Sequence, residues 1–593
     1  MDKKQFSKPL NLKAVQVTGG FWYAVQETVR KEVIPYQWEA LNDRVPEAEP
    51  SYCMHNFRAA ARILQEKRAG GANYVPPSYA YRGFQMIPED KSKPDPNKFY
   101  GFVFQDTDVY KWIEAVSYSL TQHPDPALEQ VADEAIKQIC AAQDDSGYLD
   151  TYYIINGMDR IFTNLKDHHE LYCLGHLAES AVAYYQATGK DGLLTAACRF
   201  SDYVADRFGP DSGKCKGYPG HEIAEMGLVR LYEATGDTKY LNLSKFFLEQ
   251  RGAQPYYFDE EARQRASFEG KPYTPDINPN RYAYYQAHQP VREQSEAVGH
   301  AVRAGYLYSG MADMARLSGD ESMYAACCRL WNSIVHEKLY ITGGVGGTHY
   351  GEAFSYPYDL PNDTAYSETC AAIALAFLAR RMLEIEPRSE YGDVMEQTLY
   401  NTILAGMALD GKSFFYVNPL EVNPAACRKD QRLSHVDPTR QKWLGCACCP
   451  PNIARIVSSV TAYAYTENED TLWTHLYINS RLIKKVGKNT LTLTMESDLP
   501  WGNRAKMTVQ TDEPVTCTLA FRLPGWCKKA PAVSVSARDV NQSERDGYCY
   551  LSGTWRNGDT VLLEFPMEPR LRMANRMVRE NLDRVALTYG PIT

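Results

Sequence analysis

Hydrophobic and polar residues follow a helical period through most of the chain, from about residue 22 to residue 465. Long amphipathic runs end in a glycine near a charged residue, and a second helical run follows each of them. Runs of the first kind include HHELYCLGHLAESAVAYYQATGK, GHEIAEMGLVRLYEATGD and EAVGHAVRAGYLYSGMADMARLSGD. The couplets amount to roughly 12 helices in pairs, which predicts a closed ring of helical hairpins, an (α/α)6 barrel.

Near residue 466 the pattern changes to that of strands. Segments such as TLTLTMES, VTCTLAFRLPGW and TVLLEFPM alternate or are rich in β-branched residues, which predicts a β-sandwich over residues 466–593. Residues 12–17 also have a strand pattern, and we expect the segment 1–17 to pair with this β region. The predicted fold class is therefore mainly α, with a barrel catalytic domain over 18–465 and a C-terminal β region. The run ALTYGPIT has no recognisable terminator, so whether the native chain continues beyond Thr593 stays open.

Composition narrows the class of protein and its partners. The chain has 593 residues, 44% hydrophobic and 23% charged, which is typical of a globular protein with more than one domain. A net charge of −9 without a basic stripe argues against nucleic acid or an anionic membrane as partner. The 42 tyrosines suit a carbohydrate cleft, and equally plain surfaces. No secretory h-region and no run near 18 apolar residues is present, so we expect a cytoplasmic protein that spans no membrane.

The first helix of each predicted pair carries titratable residues in its opening turns. These are Asp106 and Asp108, His168 and His169, His221 and Glu222, Glu296 and His300, and Glu368 and Cys370. If the first helices line the ring, these residues converge at one end of it, where helix N-termini add free N–H groups and a positive dipole end. The alternative is that each residue is a cap or part of a solvated first turn. The shared register favours a common cleft.

Three cysteines crowd into four positions in WLGCACCPPNIAR, namely Cys446, Cys448 and Cys449. In a chain without a leader the 15 cysteines are expected to stay reduced, so a cluster indicates metal ligands, a nucleophile or simple packing. Adjacent cysteines cannot readily bridge each other, and a metal would need two further ligands. Glu368 and Cys370 in YSETCAA are the nearest suitable pair, and the set would be compatible with Zn²⁺. A CxCC cluster is less specific than two separated CxxC pairs, so packing stays open.

A long glycine-rich stretch, ITGGVGGTHYGEAFSYPYDLPND, lies between two helical couplets. It lacks the Gly-Lys-Ser/Thr of a phosphate loop and the spacing of a dinucleotide fingerprint. A loop of this length inside a compact domain is more often functional than idle. Its Glu352 could serve as a general acid, or it could be an ordinary exposed glutamate, and spacing alone favours the second interpretation.

The chain resembles glycoside hydrolase family 127, a group of bacterial β-L-arabinofuranosidases once classed as a domain of unknown function. The resemblance rests on the ordered set TGGVGGTHYGEAF, YDLPNDTAYSETCA and WLGCACCPPNIAR. It continues through VIPYQW, FQDTDVYKW, HELYCLGHL, GHEIAE, EAVGHAVRAGYL, FFYVNPLE and RLPGWC, and so covers nearly the whole chain.

The resemblance implies a role for individual residues. Cys448 is implied as the nucleophile, Glu352 as the acid/base, and Glu368, Cys370, Cys448 and Cys449 as the ligands of Zn²⁺. His169, His221, His300, Glu396 and Tyr416 match positions that contact the sugar. Cys446 matches the motif without a ligand role. The implied activity is release of L-arabinose from a small glycoside or oligosaccharide with retention of configuration, and a homodimer is compatible with the family.

The mechanism that the resemblance implies leads to two expectations. Four protein ligands normally indicate a closed, structural zinc site, so Cys448 must loosen to attack the anomeric carbon. Partial burial is expected to keep Glu352 protonated as the acid. The alternatives are the same mechanism on another plant-wall furanoside, a zinc-stabilised carbohydrate-binding protein without catalysis, and a zinc hydrolase that uses activated water. A carboxyl of Glu352 facing the cluster would argue against a purely structural zinc site.

Overall fold

A computed structural model describes residues 7–71, 74–75, 85–278 and 280–593 of the chain. The helices are α1 (Gly20–Thr28), α2 (Ile34–Leu41), α3 (Cys53–Gly70), α4 (Asp106–Gln122), α5 (Pro126–Ala141), α6 (Thr151–Asn156), α7 (Glu170–Thr188), α8 (Gly192–Arg207), α9 (Ala224–Thr235), α10 (Thr238–Gln250), α11 (Tyr257–Phe268), α12 (Ala301–Ser318), α13 (Glu321–Glu337), α14 (Thr369–Ile385), α15 (Ser389–Thr398), α16 (Pro424–Cys427), α17 (Cys449–Ser458) and α18 (Thr461–Ala464). The strands are β1 (Lys8–Pro9), β2 (Val15–Val17), β3 (Tyr465–Glu467), β4 (Thr471–Thr474), β5 (Ser480–Val486), β6 (Asn489–Ser497), β7 (Arg504–Gln510), β8 (Val515–Arg522), β9 (Ala532–Val535), β10 (Val540–Arg545), β11 (Tyr548–Trp555), β12 (Thr560–Glu564), β13 (Arg570–Arg572) and β14 (Ala586–Thr588).

Helices α4, α7, α9, α12, α14 and α17 pack in cyclic order, and α17 closes the ring against α4. Helices α4, α7, α12 and α14 are buried along most of their length, which explains why their sequences are rich in apolar and small residues on every side. The following helices α5, α8, α10, α13 and α15 each pack on the outside of their inner neighbour. A helical region followed by a β region confirms the predicted fold class, and this cyclic order is the one expected of an (α/α)6 barrel.

Local sequence signals set the turns between inner and outer helices. Gly189, Gly236 and Gly319 end α7, α9 and α12 with left-handed φ values of 80°, 75° and 69°. These are the glycines that the sequence pattern identified as helix ends. The next helix then begins at an aspartate: Asp320 accepts hydrogen bonds from the backbone N–H groups of Ser322 and Met323.

Two glycines allow α7 and α9 to approach closely. A Cβ on Gly227 would lie 2.6 Å from the carbonyl oxygen of Gly175, and a Cβ on Gly175 would lie 2.7 Å from the backbone nitrogen of Ala224. Both contacts involve backbone atoms, which cannot rotate away. The close approach brings the N-terminal ends of the two helices together at the mouth of the ring.

The β region contains two six-stranded sheets, ordered β1-β3-β4-β8-β11-β10 and β2-β5-β6-β7-β12-β9. Buried residues of both sheets, among them Leu493 and Leu519, belong to one hydrophobic core. The N-terminal segment supplies the first strand of each sheet: Lys8 pairs with Glu467, and Val15 pairs with Leu482. Of the expected strand at 12–17, only Val15–Val17 is a strand, because Leu12–Ala14 forms a 3-10 turn. Residues 1–6 lie outside the described residues.

Arg522 joins the β region to the barrel. Its side chain is fully buried at the end of β8, and its guanidinium pairs with Asp393 and Glu396 on α15. Over the described part of the chain, no helix combines the length and the apolarity needed to cross a bilayer.

Candidate active site

The start of four inner helices brings the candidate residues to one end of the ring. His169 directly precedes α7, His300 precedes α12, Glu368 precedes α14 and Cys448 precedes α17. His221 lies shortly before α9. These helix N-termini present free N–H groups and the positive ends of their dipoles to the same cleft.

Glu368, Cys370, Cys448 and Cys449 form a compact group whose ligand atoms all lie within 4.8 Å of one another. The sulfur of Cys449 lies 3.3 Å from that of Cys370 and 3.7 Å from that of Cys448, and Glu368 Oε1 lies 3.4 Å from Cys448 Sγ. Tetrahedral zinc with bonds of about 2.3 Å to sulfur and about 2.0–2.2 Å to oxygen places its ligand atoms roughly 3.5–3.8 Å apart. The spacing and the donor atoms therefore fit Zn²⁺.

The electrostatics of this group also favour a cation. Glu368 Oε2 is buried and has no hydrogen-bond partner. Burial, together with the charges of Cys448 and Glu352, raises the pKa of Glu368 well above its ordinary value. When ionised, four acidic groups packed this tightly repel one another, and a bound cation would relieve that repulsion.

Local structure holds the group in place. Glu368 makes an isolated antiparallel bridge with Val417, and the N–H of Thr369 donates to the carbonyl of Tyr416. This pairing puts Tyr416 beside the cluster, so that its hydroxyl oxygen lies 3.2 Å from Cys448 Sγ. Pro450 and Pro451 follow the two cysteines in the first turn of α17, where a missing N–H costs nothing.

Glu352 faces this cluster from the glycine-rich loop. Oxygens of Glu352 and Glu368 and a ring nitrogen of His300 all lie within 4.8 Å of one another. Glu352 has a left-handed φ of 53°, and a Cβ on the preceding Gly351 would lie 2.9 Å from the ring of Tyr284. The loop thus accepts a strained backbone at the position that aims this carboxylate into the cleft.

His300 and Tyr366 set the charge state of Glu352. Burial acts to raise the pKa of the carboxyl, but hydrogen bonds from His300 and Tyr366 outweigh it and leave the pKa below its ordinary value. The expectation that burial keeps Glu352 protonated is therefore wrong for the free protein, because the two donors prefer the carboxylate. His300 Nδ1 accepts from the N–H of Val302, so Nε2 carries the proton that faces Glu352.

Three histidines line the cleft next to Glu352. The ring of His221 lies 5.4 Å from that of His169 and 5.5 Å from that of His300, measured between centroids. Burial and the nearby Arg303 guanidinium lower the pKa of His169 and His221 well below the ordinary value. Neutral imidazoles can both donate and accept hydrogen bonds, which suits the hydroxyl groups of a sugar.

Glu396 does not reach this cleft. Its side chain is 3% exposed, lies 2.5 Å from Arg522 and accepts a hydrogen bond from Trp526 Nε1. The structure thus places Glu396 at the contact between the helical ring and the β region, and not in contact with the sugar as expected.

Three of the carboxylates that the sequence placed in the first turns of inner helices have partners elsewhere. Asp106 accepts from Thr151, Glu222 pairs with Arg251, and Glu296 pairs with Lys338.

Two further residues contribute to the site without having been identified from the sequence. Tyr366 donates to Glu352, and the charge of Arg303 acts on His169, His221, His300 and Glu352. Arg303 is 4% exposed and donates to the carbonyl of Gly220. Tyr366 stands two positions before Glu368, but no spacing rule distinguishes it from the other tyrosines of that loop.

Comparison with known proteins gives the class. Sequence profiles of β-L-arabinofuranosidases match twice, the GH127 catalytic domain over residues 14–462 and the GH127 middle domain over residues 471–567. A non-reducing end β-L-arabinofuranosidase of Bifidobacterium longum subsp. longum is 38% identical over 589 residues, which cover 98% of this chain and 85% of the relative.

Solved structures similar to this chain belong to the same family. A GH127 β-L-arabinofuranosidase from Geobacillus stearothermophilus T6 has a TM-score of 0.88 and 46% identity, covering 97% of this chain and 85% of the other. A second GH127 β-arabinofuranosidase has a TM-score of 0.82 and 36% identity, covering 99% and 84%. Fold, cleft and relatives together define a glycoside hydrolase. The chain belongs to glycoside hydrolase family 127.

Proposed function

We propose that this enzyme is a retaining β-L-arabinofuranosidase that releases L-arabinose from the non-reducing end of β-L-arabinofuranosides. The observation that carries the proposal is the position of the Glu352 carboxylate beside the cluster that contains Cys448. A site that served only to stabilise the fold would have no need of a strained carboxylate on its open side. The β-L-arabinofuranosidases among the relatives supply the choice of sugar.

Exposure favours Cys448 as the nucleophile. Glu368, Cys370 and Cys449 are buried, whereas Cys448 is half-buried and so reaches the cleft. The hydroxyl of Tyr416 lies within hydrogen-bond distance of its sulfur and can stabilise a thiolate. The N-terminus of α17 adds a favourable dipole.

The four-residue group of Glu368, Cys370, Cys448 and Cys449 would hold Zn²⁺. When bound there, zinc would keep its cysteine ligands ionised at neutral pH. Glu368 Oε1 lies 3.4 Å from the sulfur of Cys448 and 3.7 Å from that of Cys449, so the three side chains are placed to share one cation.

The reaction then has two displacements. The Cys448 thiolate attacks the anomeric carbon, the bond to the leaving oxygen breaks, and the proton of Glu352 passes to that oxygen. Glu352, now a carboxylate, takes a proton from water, whose oxygen attacks the anomeric carbon and releases the thiolate. Since the free enzyme holds Glu352 as a carboxylate, it must gain its proton when substrate enters and displaces water from the cleft.

His169, His221 and His300 would bind the furanose hydroxyls, and Tyr416 would contact the sugar next to Cys448. The neutral rings and their mutual spacing support this role. Burial and, after it, the charge of Arg303 keep the rings neutral, and the guanidinium provides a cation near the proposed sugar site.

The test is release of p-nitrophenol from p-nitrophenyl β-L-arabinofuranoside by the parent and by C448A, with C446A as the matched cysteine control. We expect turnover by the parent and by C446A, and none by folded C448A. The p-nitrophenyl substrate has a good leaving group that needs little help from the acid, but E352Q lacks the base of the second step. A pentosyl adduct should therefore accumulate on Cys448 of E352Q and be visible by mass spectrometry.

Other outcomes select the alternatives. Turnover without any adduct would favour a zinc hydrolase that activates water. No turnover by folded, zinc-loaded parent would remove the arabinofuranosidase assignment and direct the search to other plant-wall furanosides or to binding without catalysis.

A further inference from the structure

An unbroken run of aromatic rings leads from the candidate nucleophile to the surface. It consists of Tyr416, Tyr366, His435, His349 and Tyr350, in that order. Successive ring centroids lie 6.0, 5.8, 4.7 and 4.5 Å apart. The interplanar angle is only 14° between His435 and His349 and 32° between His349 and Tyr350, so the outer rings are stacked face to face or nearly so.

The outer end of this run is the exposed one. Tyr416, Tyr366, His435 and His349 are half-buried, whereas Tyr350 is 79% exposed. One face of the Tyr350 ring packs against His349, and the other face is in contact with water. The outer face of Tyr350 is therefore open to an apolar partner.

The aromatic run begins beside Cys448, the proposed nucleophile, passes Glu352, the proposed acid/base, and continues to the surface. Tyr416 lies beside Cys448, and Tyr366 donates to Glu352. In an in-line displacement the leaving group departs on the side opposite the nucleophile and takes its proton from the acid. The part of the substrate that leaves must then lie beyond Glu352, where His435, His349 and Tyr350 are found. Tyr350 precedes Glu352 by two residues, and the left-handed Gly351 (φ 68°) turns the backbone between them.

The stacked rings suit a sugar better than a charged group. Burial lowers the pKa of His435, so its ring is neutral at neutral pH. A sugar ring presents a face of C–H groups that packs on an aromatic ring, and binding clefts use such aromatic walls together with a few polar groups.

We propose that Tyr350, backed by His349 and His435, forms the subsite for the leaving part of the substrate and receives a second sugar ring there. The assignment rests on the proposed glycosidase function, since it names what lies on the far side of the bond that is cut.

The experiment compares two substrates that share the same β-L-arabinofuranosyl group. One is the methyl glycoside, and the other is a disaccharide of two β-linked L-arabinofuranose residues. We expect Tyr350→Ala to lower the ratio of kcat/KM for the disaccharide to that for the methyl glycoside about fivefold, as loss of one ring contact would, through KM rather than kcat. Tyr350→Phe keeps the ring and should keep the ratio. Tyr356→Ala removes another exposed tyrosine of this loop, outside the run, and should leave the ratio unchanged.

The outcomes separate the two proposals. An unchanged ratio in Tyr350→Ala, or an equal loss on both substrates, overturns the subsite while the glycosidase function stands. A ratio that falls as much in Tyr356→Ala would also overturn it, because the effect would then belong to the loop and not to the stacked ring. Absence of turnover of either glycoside by the folded parent overturns the proposed function, and the subsite with it.

Discussion

His300 Nε2 lies 3.0 Å from Glu352 Oε2, while the N–H of Val302 donates to Nδ1 of the same ring. The histidine is thus held in one tautomer, with its proton directed at the carboxylate. Burial acts to raise the pKa of Glu352, but the hydrogen bond from His300 favours the ionised carboxylate and helps to keep the pKa below its ordinary value.

Removing that donor should shift the pH dependence of catalysis. In His300→Phe the pKa of Glu352 rises, so the protonated acid persists to higher pH and the alkaline limb of kcat/KM moves to higher pH. His300→Gln retains an N–H donor and should move the limb less. The measurement is the pH profile of p-nitrophenyl β-L-arabinofuranoside hydrolysis. A limb that stays in place in His300→Phe would show that another group sets it.

Metal content should separate the neighbouring cysteines. Cys449→Ala removes one sulfur of the four-atom group, and we expect bound zinc to fall at least about tenfold, because three remaining ligands leave an incomplete site. Cys446 lies 3.6 Å from the Tyr416 hydroxyl and is outside that group, so Cys446→Ala should retain its zinc. Elemental analysis of the purified, dialysed variants gives the ratio. Equal zinc in both variants would contradict the ligand set.

Glu396 should matter for stability and not for sugar binding. Glu396→Ala leaves the buried guanidinium of Arg522 with Asp393 as its remaining carboxylate partner, beside the carbonyl of His475, and we expect a loss of about 3 kcal/mol in the free energy of unfolding. Glu396→Gln keeps acceptor oxygen for Trp526 and should cost less. Thermal and urea denaturation measure the loss, and KM of the folded variant should equal that of the parent. A raised KM at unchanged stability would return Glu396 to the sugar site.

The stability of the barrel should depend on the ionisation of Glu261. Burial raises the pKa of this carboxyl to about 8, against about 4.5 in the unfolded chain. Because the folded state holds the proton more tightly, its contribution to stability is complete below about pH 4.5 and is lost as the pH rises toward 8.

Glu261→Gln removes this proton linkage. Between pH 5 and pH 8 the parent should therefore lose up to about 1.4 kcal/mol per pH unit relative to the variant, a slope set by one proton. Denaturant unfolding of both proteins across this pH range measures the difference. Parallel curves would mean that Glu261 is ionised in the folded protein, held by Arg265 and the N–H of Leu165.

Local patterns were sufficient for the fold class, and they pointed to four residues that the structure brings together as a candidate metal group. Helix couplets ending at Gly189, Gly236 and Gly319 depend on short-range rules of backbone geometry, and these rules hold whatever surrounds the helix. The cysteine motif and YSETCAA each stand at the start of an inner helix, so the ring brings them together. Family membership, which the motifs indicated, is confirmed by profiles that match both regions of the chain.

Properties that depend on distant neighbours were not available from the sequence. The partner of Glu396 is Arg522 on a strand of the β region, and the sequence around Glu396 gives no indication of this pairing. The charge state of Glu352 depends on His300 and Tyr366, which come from different segments of the chain and outweigh the effect of burial. For the same reason, carboxylates in the helix mouths could not be sorted into those that face the cleft and those held by Arg251 or Lys338.

The pairing of β1 and β2 with strands far along the chain affects the order in which the protein can fold during synthesis. Lys8 and Val15 leave the ribosome before the helical ring is made, but their partners Glu467 and Leu482 follow only after the whole ring. At about 5–20 residues per second, the first strands wait roughly 20 to 90 seconds before they can pair. The helical hairpins, whose contacts are local, can assemble during that interval, so β1 and β2 pair only after the ring has been synthesised.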